Sequence, residues 1–81
     1  MIDKNTYLNL KREIRYMSRN NVLKLCDEMM LNKEERILLL NFYDNETVIH
    51  TCMELSFGST TYNKKIKSLF TKIYNYKNTL K

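Results

Sequence analysis

The sequence predicts an all-α domain of about five helices, and three observations carry that prediction. Apolar residues recur at the helical interval of about 3.6 residues in every segment, and no stretch alternates cleanly in twos. Proline is absent and glycine occurs once in 81 residues, so nothing reads as a flexible linker. The chain is 43% hydrophobic and 28% charged, a globular rather than a disordered composition. At this length we expect one domain with one small core.

The first helix is expected over Lys4 to Met17. Asp3 suits its N-cap, and Tyr7, Leu10, Ile14 and Met17 form one apolar face. Lys11, Arg12, Arg15 and Arg19 occupy the other sides. Ser18-Arg19-Asn20-Asn21 marks a break, because Ser and Asn bond their own backbone and favour caps. Without that break, one long helix results. The second helix is expected over Asn21 to Leu31, burying Val22, Leu25, Cys26, Met29 and Met30. Asn32 caps the third helix, and Glu35 three positions on completes a capping box. Ile37, Leu38, Leu39, Leu40, Phe42 and Tyr43 follow as the centre of the core. Asp44-Asn45 is a turn signal. The fourth helix is expected over Glu46 to Ser56, with Val48, Ile49, Cys52 and Leu55 inward. Gly58 or Ser59 caps the fifth, which buries Tyr62, Ile66, Leu69, Phe70, Ile73 and Leu80.

Charge is unevenly distributed. Residues 1–26 carry six basic and two acidic side chains, net +4. Residues 27–58 carry seven acids against two bases, net −5. Residues 59–81 carry six lysines and no acid, net +6. The regular apolar positions of that last block mark it as an amphipathic helix rather than a basic tail.

The last two helices are joined by about three residues, and the second is basic and opens with Ser-Thr-Thr. That is the sequence form of a helix-turn-helix. It needs a small residue mid-way along the first helix, an apolar residue in the turn, and an apolar anchor ten positions after the small one. Cys52, Phe57 and Tyr62 meet these needs, and Ile66 anchors the next turn.

On these residues, positions 32–73 resemble the C-terminal DNA-binding domain of LuxR-type (GerE-like) regulators, and likewise region four of bacterial sigma factors. The family's acid-arginine pair before an apolar run is matched by Glu35-Arg36 before Ile37. Its Thr-apolar pair is matched by Thr61-Tyr62, and its closing pattern by Ile66, Leu69, Phe70, Lys72 and Ile73. The chain departs from the pattern at Thr51, where an apolar residue is usual, and at Gly58, where a capping Ser is common. The resemblance implies a sequence-specific transcriptional regulator, with residues 59–77 as recognition helix in the major groove of double-stranded DNA. With residues 1–31 as an N-terminal helical extension outside the match and 32–81 as the helix-turn-helix unit, these departures fit a small phage or mobile-element regulator built on the same plan. Base contacts are then assigned to Thr60, Asn63, Lys64 and Lys67, since Asn pairs bidentately with adenine and Lys donates to guanine. Phosphate contacts are assigned to Ser59, Thr61, Lys65 and Lys72, aided by the positive end of the helix.

The alternative is a protein-binding adaptor or inhibitor on the same scaffold, acting on RNA polymerase, a sigma factor or a host protein. Its candidate surface is the acidic stretch, especially Asp27, Glu28, Glu34, Asp44, Glu46 and Glu54. The N-terminal helices either supply a homodimer interface or cover the core. No enzyme is expected, because no phosphate loop, nucleophile elbow or paired-carboxylate site is present. His50 has Glu46 and Glu54 one turn away on either side, too few ligands for a metal. Cys26 and Cys52 match no zinc spacing and read as small hydrophobes, and no cofactor is implied. No apolar run approaches the roughly 18 residues that span a bilayer, and the start lacks an apolar signal core, so a soluble cytoplasmic protein is expected.

Overall fold

The computed structural model describes residues 3–79. Five helices follow one another: α1 Lys4–Tyr16, α2 Arg19–Glu28, α3 Lys33–Tyr43, α4 Val48–Leu55 and α5 Ser59–Thr79. No strand occurs among the described residues. The fold is all-α, as expected, and Leu80 lies outside the described residues.

Local hydrogen bonds set most helix starts. The Asp3 carboxylate accepts the Thr6 amide at 2.7 Å, and the Ser18 hydroxyl accepts that of Asn21 at 3.2 Å. The break between α1 and α2 is therefore real, and α2 starts two residues earlier than expected. Tyr43 reinforces it by donating its hydroxyl to the Met17 carbonyl at 2.6 Å. At α3 both halves of the capping box form: the Glu35 amide reaches Asn32 Oδ1 at 2.8 Å, and the Asn32 amide reaches Glu35 Oε1 at 3.1 Å. Thr47 caps α4 by accepting the His50 amide at 3.0 Å.

The ends of α2, α3 and α4 depend on left-handed residues, none of them glycine. Met30, Asn45 and Ser56 have φ of 54°, 63° and 61°. After α2, the Met30 amide bonds the Asp27 carbonyl and the Leu31 amide bonds that of Cys26, both at 3.1 Å. This is a Schellman closure. It ends α2 at Glu28 and turns Leu31 back into the core, where it is buried. Met30, expected inward, is instead 85% exposed, because the residue that supplies the left-handed turn faces away from the helix it closes.

A second expectation fails on α4. The sequence period puts Val48 and Ile49 inward, yet both are exposed, Ile49 at 73%. Thr51 is buried instead, at 2%. Successive residues rotate by about 100° in a helix, so residues two apart stand on opposite sides. Burying Thr51 thus turns out both Ile49 and Met53. A polar residue can take that place because its hydroxyl is satisfied: it donates to the Thr47 carbonyl and accepts from Asn41 Nδ2, each at 3.2 Å.

The core gathers Leu10 and Ile14 of α1, Val22, Leu25 and Cys26 of α2, Leu38, Leu39 and Phe42 of α3, and Ile66, Leu69, Phe70 and Ile73 of α5. Phe70 lies at its centre. Its ring meets Phe42 edge-on at 5.1 Å between centroids and Tyr7 in a tilted pair at 5.4 Å. α5 therefore joins α1 and α3 through one side chain. Tyr7, Leu10, Ile14 and Met17 all pack on this core, so the apolar face of α1 covers the core within the chain.

Candidate nucleic-acid interface

α4 and α5 are joined by the three residues Ser56, Phe57 and Gly58. Ser56 makes the reversal, in the left-handed region, and the amides of Ser56 and Phe57 both return to the Cys52 carbonyl. Phe57 packs against the core. The first bond of α5 runs from the Tyr62 amide to the Gly58 carbonyl at 2.9 Å, which makes Gly58 the capping residue. The amides of Ser59, Thr60 and Thr61 precede that bond at the positive end of the helix.

The buried stripe of α5 runs through Ile66, Leu69, Phe70 and Ile73. Its opposite side carries Thr60, Lys64, Ser68 and Thr71, with Lys67 beside them. Lys64, Lys67, Ser68 and Thr71 line one open depression, as the i, i+3, i+4, i+7 spacing requires. Lys64 and Lys67 form no ion pair among the described residues. Ser59, Thr61 and Asn63 are exposed on the first turns.

Lys65 and Lys72 stand apart from this group. Lys65 Nζ is 2.9 Å from Glu34 and Lys72 Nζ is 3.1 Å from Glu35, both on α3. Exposed pairs of this kind contribute about 1 kcal/mol or less, so they place the two ammonium groups on the α3 flank without locking them there. Of the eight residues assigned to DNA, six lie on the outer face or first turns of α5, and two face α3.

Several acids of the 27–58 stretch have partners within the fold while staying partly exposed, Asp27 by 70%. Asp27 pairs with Arg36 at 2.8 Å, Asp44 with Arg19, and Glu28 accepts the Tyr76 hydroxyl at 2.9 Å. Glu13 of α1 pairs with Lys77. Arg36 also donates to the Leu31 carbonyl at 3.1 Å, so Glu35 and Arg36 each fasten a neighbouring element. Glu46 and Glu54 lie beside His50, 3.5 and 3.8 Å from its Nε2, and Glu54 also accepts from Asn41 Nδ2 at 2.9 Å. Among the described residues no three His, Cys, Asp or Glu side chains are placed to hold a metal. No helix among them is long and apolar enough to cross a membrane. Cys26 is buried, and its thiol pKa is pushed up by burial.

Two further features were not anticipated from sequence. Lys11 and Arg15 face a cleft of about 250 Å³ whose wall also includes Asn63, Tyr62, Val48 and Glu46. The signal was available: Tyr7, Lys11 and Arg15 repeat at intervals of four. The Tyr62 hydroxyl titrates above its ordinary value, chiefly through burial and the nearby Cys52, with Arg15 opposing. The second feature is the exposed apolar pair Ile49 and Met53 on α4, a consequence of burying Thr51.

Comparison with protein-family models, curated proteins and solved structures returned no match to this chain.

Proposed function

We propose that this protein binds double-stranded DNA in a sequence-dependent manner and regulates transcription, with α5 in the major groove. The supporting observation is the acid-free outer face of α5, where Lys64 and Lys67 form no ion pair among the described residues, on the second helix of a two-helix unit with a three-residue turn. A helix fits the major groove, and Asn and Lys are suited to base edges there. The resemblance to LuxR-type and sigma region-four domains adds to the reading. Selection of duplexes from a random pool tests it: a consensus should emerge, and binding should weaken steeply with salt as lysine contacts release counterions. Lys64→Ala/Lys67→Ala should abolish the preference. Unchanged affinity and preference in that variant would remove α5 as the reading element.

A second reading, a protein-binding adaptor on the transcription machinery, draws on a separate observation. Ile49 and Met53 are 73% and 77% exposed side by side on α4. A stoichiometric partner captured by the protein and lost in Ile49→Ser/Met53→Ser, with no salt-sensitive DNA binding, would favour this reading. A homodimer, which would double a short DNA site, must use another surface than Leu10 and Ile14, which are buried.

A further inference from the structure

We infer that α1 supplies a phosphate clamp, formed by Lys11 and Arg15, beside the base-reading face of α5. This inference rests on the DNA-binding reading and extends its footprint to a helix outside the helix-turn-helix unit.

The two side chains are held by aromatic faces rather than by acids. Lys11 Nζ lies 5.1 Å from the Tyr7 ring centroid and 5.7 Å from that of Phe42, and Arg15 Cζ lies 4.6 Å from the Phe42 centroid. Neither forms an ion pair among the described residues; Arg15 donates once, to Asn45 Oδ1 at 3.1 Å. A guanidinium has five donors, so most remain for a ligand. Stacking on rings also restricts rotation, which lowers the entropy lost when an anion binds.

Their position relates them to α5. Lys11 and Arg15 share a cleft with Asn63, and Lys67 follows Asn63 by one turn on the same flank. The opposite flank of α5 is balanced by Glu34 and Glu35. Positive potential is therefore displaced toward α1. Lys4 and Arg12, also on α1, form no ion pair among the described residues and add to its positive charge. Among the described residues one acid lines the cleft, Glu46, 3.5 Å from His50 Nε2. At about 250 Å³ the cleft is smaller than the roughly 300–1,000 Å³ usual for enclosed ligands, and it suits an edge-on phosphate better than an enclosed molecule.

The test is fluorescence anisotropy of the full chain on a random-sequence duplex and on any selected duplex, over a range of salt. Lys11→Gln/Arg15→Gln should reduce the slope of log affinity against log salt by about 2, since each phosphate contact contributes about 0.9. The loss should be equal on both duplexes, and Lys65→Gln/Lys72→Gln should change the slope less. If Lys11→Gln/Arg15→Gln leaves the slope unchanged while Lys64→Gln/Lys67→Gln lowers affinity, the clamp is wrong and the DNA reading stands. If the unmodified protein shows no salt-sensitive duplex binding, the DNA reading itself fails. Acetylation footprinting of the unmodified protein needs no variant to fold: duplex should slow acetylation of Lys11, and an unchanged rate there overturns the clamp.

Discussion

Lys72 Nζ lies 3.1 Å from Glu35 Oε2, joining α5 to α3 between residues 37 positions apart. The same carboxylate accepts the Asn32 amide through Oε1. One side chain thus starts a helix and fastens another to it. Burial pushes the Glu35 pKa up, but the Asn32 amide and the Lys72 ammonium outweigh it, and the carboxyl titrates below its ordinary value.

The sign of the pH effect follows. A carboxyl with a lowered folded pKa stabilises the fold above its unfolded pKa, near 4.5, and that contribution is lost as pH falls through the folded pKa. Glu35→Gln retains a capping-box side chain but not the charge. We expect the variant to be less stable at pH 7 by about 1 kcal/mol or less. The gap to the unmodified protein should narrow as pH is lowered from 7 to 3. Thermal melts across that range check this, and a gap that widens in acid contradicts it.

The left-handed residues predict gains. Met30→Gly and Ser56→Gly each relieve a side chain held at positive φ, offset by the greater freedom of glycine in the unfolded chain. Net stabilisation of about 0.5–1 kcal/mol is expected for each in urea titration. A destabilised Ser56→Gly would mean that its side chain has a role beyond making the turn.

Gly58 predicts the opposite of what its solitary occurrence suggests. Its φ is not positive, and a Cβ added there meets nothing within 4 Å. Gly58→Ser should therefore change stability by less than about 0.5 kcal/mol, since Ser and Gly are both accepted at an N-cap. Loss of more than 1 kcal/mol would show that glycine is required at this turn.

Phe70→Ala removes the ring that meets both Phe42 and Tyr7. Truncating a buried Phe costs about 3–5 kcal/mol, a large part of the stability of a domain this small. Most helical circular dichroism should be lost at 37 °C. By contrast, Ile49→Ser/Met53→Ser should leave the urea midpoint nearly unchanged, because both side chains are already in solvent.

The sequence alone determined the helical class, the caps at Asp3, Asn32 and Glu35, and the buried stripe of α5, because period and capping act within one or two turns of chain. It also placed Lys64 and Lys67 on a face opposite that stripe. Tertiary structure decided what period cannot. It chose Thr51 over Ile49 for the inner side of α4, because Asn41 of α3 offers the hydroxyl a partner. It sent Met30 outward by closing α2 a turn early. It set Lys65 and Lys72 against Glu34 and Glu35, and Lys11 and Arg15 against Phe42. Each outcome depends on the distance between groups far apart in sequence, and that distance exists only once the helices have packed.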